Sequence, residues 1–174
     1  AYARFLSRHG NSAKAISIYE SFNQVVPDHP TVQAALADLK AGKTLTPFVR
    51  TPEQGAAEVL YGLGAAGGRQ GDDLAALIYL RFSLNLNPNN SLAILTLGDL
   101  YERLKQYEQA IDIYQSVPDG DPLRLTADIE TAQVLENLGK TDDATKLLTK
   151  IVADHPNDGE ALTALGNLQR AHKQ

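Results

Sequence analysis

Cysteine, methionine and tryptophan are absent from the 174 residues, and aromatics amount to only 6%. Without cysteine there is no disulfide framework, no thiolate nucleophile and no zinc site built on sulfur. A cysteine-free chain suits cytosol and periplasm equally, so the compartment stays open. Cations are also in deficit: 16 Lys and Arg face 21 Asp and Glu, a net charge of -5, with no basic run. That balance argues against wrapping nucleic acid or lying on an anionic membrane. No apolar stretch approaches the roughly 20 residues a spanning helix needs. The opening AYARFLSRHG has neither an initiator Met nor the basic-then-apolar order of a signal peptide. The expectation is a soluble piece of a longer protein.

What the chain does have is 23 Ala and 25 Leu, strong helix formers that make an all-β fold improbable. It also repeats. Gly64 and Gly98 stand 34 residues apart and Gly166 a further 68 along, with Ala132 in the intervening place. Ala76, Ala110 and Ala144 keep the same step, as do Pro88, Pro122 and Pro156. Three columns on one period identify a repeated structural unit.

Each column has a physical reason. In the unit SLAILTLGDLYERLKQYEQAIDIYQSVPDGDP, Ile94, Leu97, Leu100, Tyr101 and Leu104 fall at helical spacing and make one apolar face. Gly98 on this first helix and Ala110 on the second allow close antiparallel approach, with Ile111 and Tyr114 beside them. Lys105 to Tyr107 marks the turn, matched by Gln70 to Asp73 and by Gly139 to Asp142. The prolines then end the second helices. Pro118 should end the middle one early.

The pattern resembles the tetratricopeptide repeat family, and the resemblance implies an all-α fold, a right-handed α-solenoid of antiparallel helix pairs. It points to a fragment of a bacterial-type member. Units cover 57–90, 91–124 and 125–158, and 159–174 supplies the first helix of a fourth. In place of the family's usual Trp near the start of the first helix stand Leu60, Ile94, Asp128 and Leu162; Asp128 fits least well. Residues 1–29 read as the end of another repeat, with Gly10 at its turn, Ala15, Tyr19 and Phe22 on its second helix and Pro27 closing it. An interrupting helix and loop follow over 30–50, and the array runs over 51–174. Thr51 to Gln54 spells a capping box, with Thr51 as N-cap and Gln54 reaching back.

Several motifs invite a chemical reading. Gly62, Gly64 and Gly67 spell GxGxxG after Val59-Leu60-Tyr61, the signature of a dinucleotide-binding turn. That turn needs an acidic residue about 20 positions on, where RFSLNLNPNN supplies only Asn. The helix-contact reading is therefore preferred, and NAD or ATP should give no thermal stabilisation. His9, His29, His155 and His172 are not spaced for joint metal ligation on a helix face. Asp72-Asp73 and Asp142-Asp143 occupy equivalent turns and read as first-turn acids. No catalytic set, cofactor or metal is expected, and Tyr19, Tyr79, Tyr101 and Tyr114 read as packing residues.

What remains is a groove. If the resemblance carries over, first helices line a concave surface, with Tyr61, Leu95, Ile129 and Thr163 in one row. Ala65, Asp99, Gln133 and Asn167 form the next, and Glu58, Glu102, Arg103, Glu136 and Arg170 rim it. The family's clamp for the C-terminal carboxylate of chaperones needs Lys and Arg with Asn on these helices, and those cations are missing from the central rows. The expected partner is a neutral or basic peptide or helix with apolar anchors, bound by a protein–protein interaction scaffold. An equal alternative for Leu95 and Ile129 is packing against the next unit. A different class of function is the recruiting region of a larger enzyme, such as a transferase, whose chemistry lies outside this stretch. Finally, Leu162, Leu165 and Leu168 lie on a helix without its partner, an expected site of self-association.

Overall fold

In a computed structural model, which describes residues 1–172, the described residues form ten α-helices and no strand. The chain divides into two compact units, the second beginning at Ala56.

The first unit contains α1 (Tyr2–Arg8), α2 (Ser12–Val25) and α3 (Pro30–Lys40). Gly10, at φ 75°, makes the turn between α1 and α2. Ala3, Leu6, Ala15, Ala35 and Leu39 form its core. Pro30 opens α3, where its missing N–H costs nothing. Beyond α3 the chain returns to α1: Leu45 is buried and its N–H donates to Ser7 Oγ at 3.0 Å. The Arg4 guanidinium likewise donates to the Thr46 carbonyl at 3.0 Å.

Next come α4 (Pro52–Gln70), α5 (Asp73–Leu86), α6 (Ser91–Arg103), α7 (Tyr107–Gln115), α8 (Arg124–Asn137), α9 (Thr141–Asp154) and α10 (Gly159–Ala171). At the start of α4 the Gln54 N–H donates to Thr51 Oγ1 at 3.2 Å, while Gln54 Oε1 accepts from Arg50 N–H at 2.9 Å. The reciprocal cap is thus shifted one residue outward on its return arm. Asp72, Asn90 and Asp158 each accept a backbone N–H from the residue three positions on, capping α5, α6 and α10. Pro118 follows a second helix cut to 9 residues, against 14 in α5 and α9.

From α5 onward each helix packs on the next, and α8 also meets α10. The small columns sit at the contacts: a Cβ added at Gly64 would lie 2.7 Å from Leu80 Cγ, and one at Gly98 would strike the Tyr114 ring. Ala76, Ala110, Ala132 and Ala144 are essentially inaccessible. Buried Ser83 Oγ donates to the Ala57 carbonyl at 2.8 Å and ties α5 to α4.

The turns within the pairs reuse one geometry. Gly71 (φ 82°) and Gly139 (φ 74°) take the left-handed conformation, and Lys105 takes it at φ 58° without glycine's freedom. Lys105→Gly is therefore expected to raise stability by about 0.5–1 kcal/mol, the αL penalty less glycine's unfolded-state entropy. Urea unfolding reads the change; an unchanged or lower midpoint would contradict it.

Candidate peptide-binding groove

The first helices α4, α6, α8 and α10 present repeat-related positions, but the structure does not treat these alike. Tyr61, Ala65, Asp99 and Arg103 come together around a cavity of about 240 Å³ between α4 and α6, with Thr96 and Gly68 also in its wall. At one end the Arg103 guanidinium lies against Gly68 and pairs with Asp73 at 2.6 Å. Leu95 is half-buried and packs on the core of α5 to α7.

Ile129 departs from the expected row. It is 0% exposed, in a core shared with Ala144, Leu148, Ala161 and Leu168, so it cannot meet a ligand. It packs against the adjoining unit, the other placement its position in the repeat allowed. Asp128 stands where an apolar residue fills the other units, and an unpaired carboxylate cannot be buried cheaply. It stays half-exposed, accepting from Arg124 Nε at 2.9 Å, while Arg124 also reaches Asp119 and the Val117 carbonyl at 3.0 Å.

Gln133, Thr163 and Asn167 are exposed. Thr163 Oγ1 donates to the Gly159 carbonyl at 2.6 Å, and Asn167 accepts from Arg170. They do not join the α4–α6 cavity. On the rim, Glu58 accepts from Asn90 at 2.9 Å, and burial raises its carboxyl above the usual range.

The dominant electrostatic feature is a cluster of carboxylates beside the cavity. The Tyr114 hydroxyl reaches both Asp99 Oδ1 and Glu102 Oε1, each at 2.8 Å. Its ring is buried under Gly98. Burial and then the adjacent Asp99 charge push the phenol far above its ordinary pKa, so it remains protonated. Burial also raises Glu102. Glu130, on α8, is pushed up to about 7, first by burial and then by Glu102, Asp99 and Glu160. Among the described residues none of these four carboxylates has an ion-pair partner. Spacing along the chain did not single out Glu130, because the burial and the carboxylates that act on it, Glu102 and Asp99 on α6 and Glu160 on α10, depend on how other helices pack. Tyr114 was legible as packing, but its hydroxyl partners lie on another helix.

Gly62, Gly64 and Gly67 all lie within the continuous helix α4, so there is no strand-to-helix turn to cradle a pyrophosphate. His29 and His155 cap helix ends. Among the described residues no group of three His, Asp or Glu is disposed to hold a metal, and no helix is long and apolar enough to cross a membrane.

Antiparallel helix pairs on a 34-residue step define an α-solenoid of structural repeats. Residues 83–112 and 125–168 match two family models, both described as tetratricopeptide repeat, so these two segments are tetratricopeptide repeats. A curated relative, anaphase-promoting complex subunit 3 of Schizosaccharomyces pombe, is 32% identical over 108 residues, covering 62% of this chain. The match spans 16% of that protein's length. Among solved structures, the Arabidopsis OM64 TPR domain superposes with a TM-score of 0.59 at 18% identity, over 68% of this chain and 98% of that one. The first TPR of Spaghetti (RPAP3) bound to the HSP90 peptide SRMEEVD gives 0.59 at 21% identity, over 70% and 98%. These likenesses establish the shared fold.

Proposed function

We propose that the first-helix face of the second unit is a protein-interaction groove for a neutral or basic segment with apolar anchors. The observation that carries this reading is the group Asp99, Glu102, Glu130 and Glu160: burial and then the neighbouring carboxylates raise the proton affinity of Glu130, burial and then Asp99 raise that of Glu102, and none of the four has an ion-pair partner among the described residues. A Lys or Arg side chain entering there would relieve that repulsion. Tyr61 on α4 and the half-buried Leu95 on α6 offer apolar contact. The Spaghetti structure holds a peptide ending in acidic residues; here such a tail would meet charge of its own sign.

Panning a random peptide library on the chain tests the assignment. The expected enrichment is for Lys or Arg combined with Leu, Ile or Phe, with binding that weakens as salt rises. Asp99→Lys, at an exposed position, is expected to lower affinity for the selected peptides about tenfold with helical content intact. Enrichment of acidic tails, or binding indifferent to Asp99→Lys, would overturn the proposal.

A further inference from the structure

Charge is unevenly placed along this chain. Residues 1–19 hold Arg4, Arg8 and Lys14 and no acid, so all 21 Asp and Glu lie beyond them. Packing gathers the first two of these cations onto one apolar face. Arg4, Phe5, Arg8 and His9 of α1 surround a cavity of about 300 Å³ together with Phe48 and Val49, from the stretch that returns to α1. Phe5, Phe48 and Val49 are 56%, 50% and 40% exposed. Arg8 is exposed and Arg4 donates only to the uncharged Thr46. Neither has an ion-pair partner among the described residues. The exposed apolar residues of α5, Leu74, Ile78 and Phe82, stand instead beside charges already in use: Arg81 is held on Tyr101, Asp73 pairs with Arg103 and Asp72 caps α5. On α1 the cations are available, so this face selects an acidic partner that also offers apolar contact.

We propose that the α1 face of one copy of this chain docks on Glu130 and Glu160 in the first-helix groove of another copy, so that the chain associates with itself. This inference rests on the groove assigned above and names its occupant. The groove takes a basic segment with apolar anchors, and the α1 face is such a segment. The charges also match in spacing. Arg4 and Arg8 are four apart on one helix, so their side chains leave it as neighbours. Glu160 acts on Glu130 through space, so these carboxylates are neighbours as well. Asp99 and Glu102 already accept the Tyr114 hydroxyl, whereas Glu130 and Glu160 are held by no cation among the described residues. A foreign acidic segment would satisfy the α1 face alone, and a foreign basic one the groove alone. A second copy satisfies both with one contact.

Sedimentation of the full chain should show a mass that rises with concentration and returns to the monomer as salt is added. Arg8→Glu, at an exposed position of the α1 face, and Glu160→Lys, at an exposed position of the groove, are each expected to weaken association about tenfold with helical circular dichroism unchanged. An equal mixture of the two variants should associate again, because each supplies the surface that the other has lost. Lys146→Glu makes the same change of net charge as Arg8→Glu, at an exposed position of α9, and should leave association unaltered. Association indifferent to Arg8→Glu, or a mixture no better than either variant alone, would overturn the proposal. A strictly monomeric chain whose groove still binds the basic peptides selected by panning would overturn this inference and leave the groove assignment standing. A chain that neither associates nor binds such peptides would overturn both.

Discussion

Gly98→Ala is expected to destabilise the chain by about 2–3 kcal/mol, although alanine is the better helix former by roughly 1 kcal/mol. The added Cβ would fall onto the Tyr114 ring, which is 0% exposed and has nowhere to retreat. Moving that ring would also pull its hydroxyl from Asp99 and Glu102, so overpacking and loss of a buried donor act together. The matching control is Gly166→Ala, from the same repeat column. A Cβ at Gly166 meets nothing within 4 Å, because among the described residues no second helix lies over it. That substitution should gain about 0.5–1 kcal/mol from backbone entropy alone. Urea titrations followed by circular dichroism give both values, and equal shifts in the two variants would contradict the close-approach account.

Glu130→Gln is expected to stabilise the protein at pH 8 and to leave it nearly unchanged near pH 4.5. Folding raises this carboxyl from 4.5 to about 7. Between those values the folded chain holds a proton that the unfolded chain has released, so stability falls as pH rises. The favourable contribution is complete below about 4.5 and is lost as pH climbs through 7. A fully transmitted shift would be worth about 3 kcal/mol; the half-buried carboxyl feels solvent screening, which reduces the expected gain to about 1–2 kcal/mol. Glu102 is raised in the same direction and for the same leading reason, so some decline with pH should persist in the variant. Equal pH slopes for Glu130→Gln and the unsubstituted chain, between pH 5 and 8, would refute the coupling. The same measurement bears on the groove. A basic peptide that neutralises the cluster should bind more tightly as Glu130 ionises, opposite in sign to the trend in stability.

The final helix shows how burial reorders a sequence expectation. Leu162, Leu165 and Leu168 read as one unsatisfied apolar face, yet Leu168 is buried and Leu165 half-buried against the α8–α9 core. Leu162 is the one of the three left exposed, at 45%. α10 packs inward on the α8–α9 pair, and that packing already uses Leu165 and Leu168. The larger apolar surface lies on α5, where no gap in the repeat advertised it.

The helix pairs, their turns and their contact points were legible in the residues because each rests on local chemistry that recurs every 34 positions. A small residue is needed wherever two backbones approach, a turn former wherever the chain reverses, and proline wherever a helix must stop. Which way a side chain points is not local in that sense. By its place in the repeat Ile129 could equally line the groove or pack against the adjoining unit, and only the packed helices show it buried with residues of α9 and α10. Glu130, Tyr114, Asp99 and Glu102 come from three helices, and their shared electrostatics exists only once those helices are packed. The sequence alone determined that this chain is a stack of helix pairs. Tertiary structure decided which carboxylates meet, because charges interact through space while the repeat counts only along the chain.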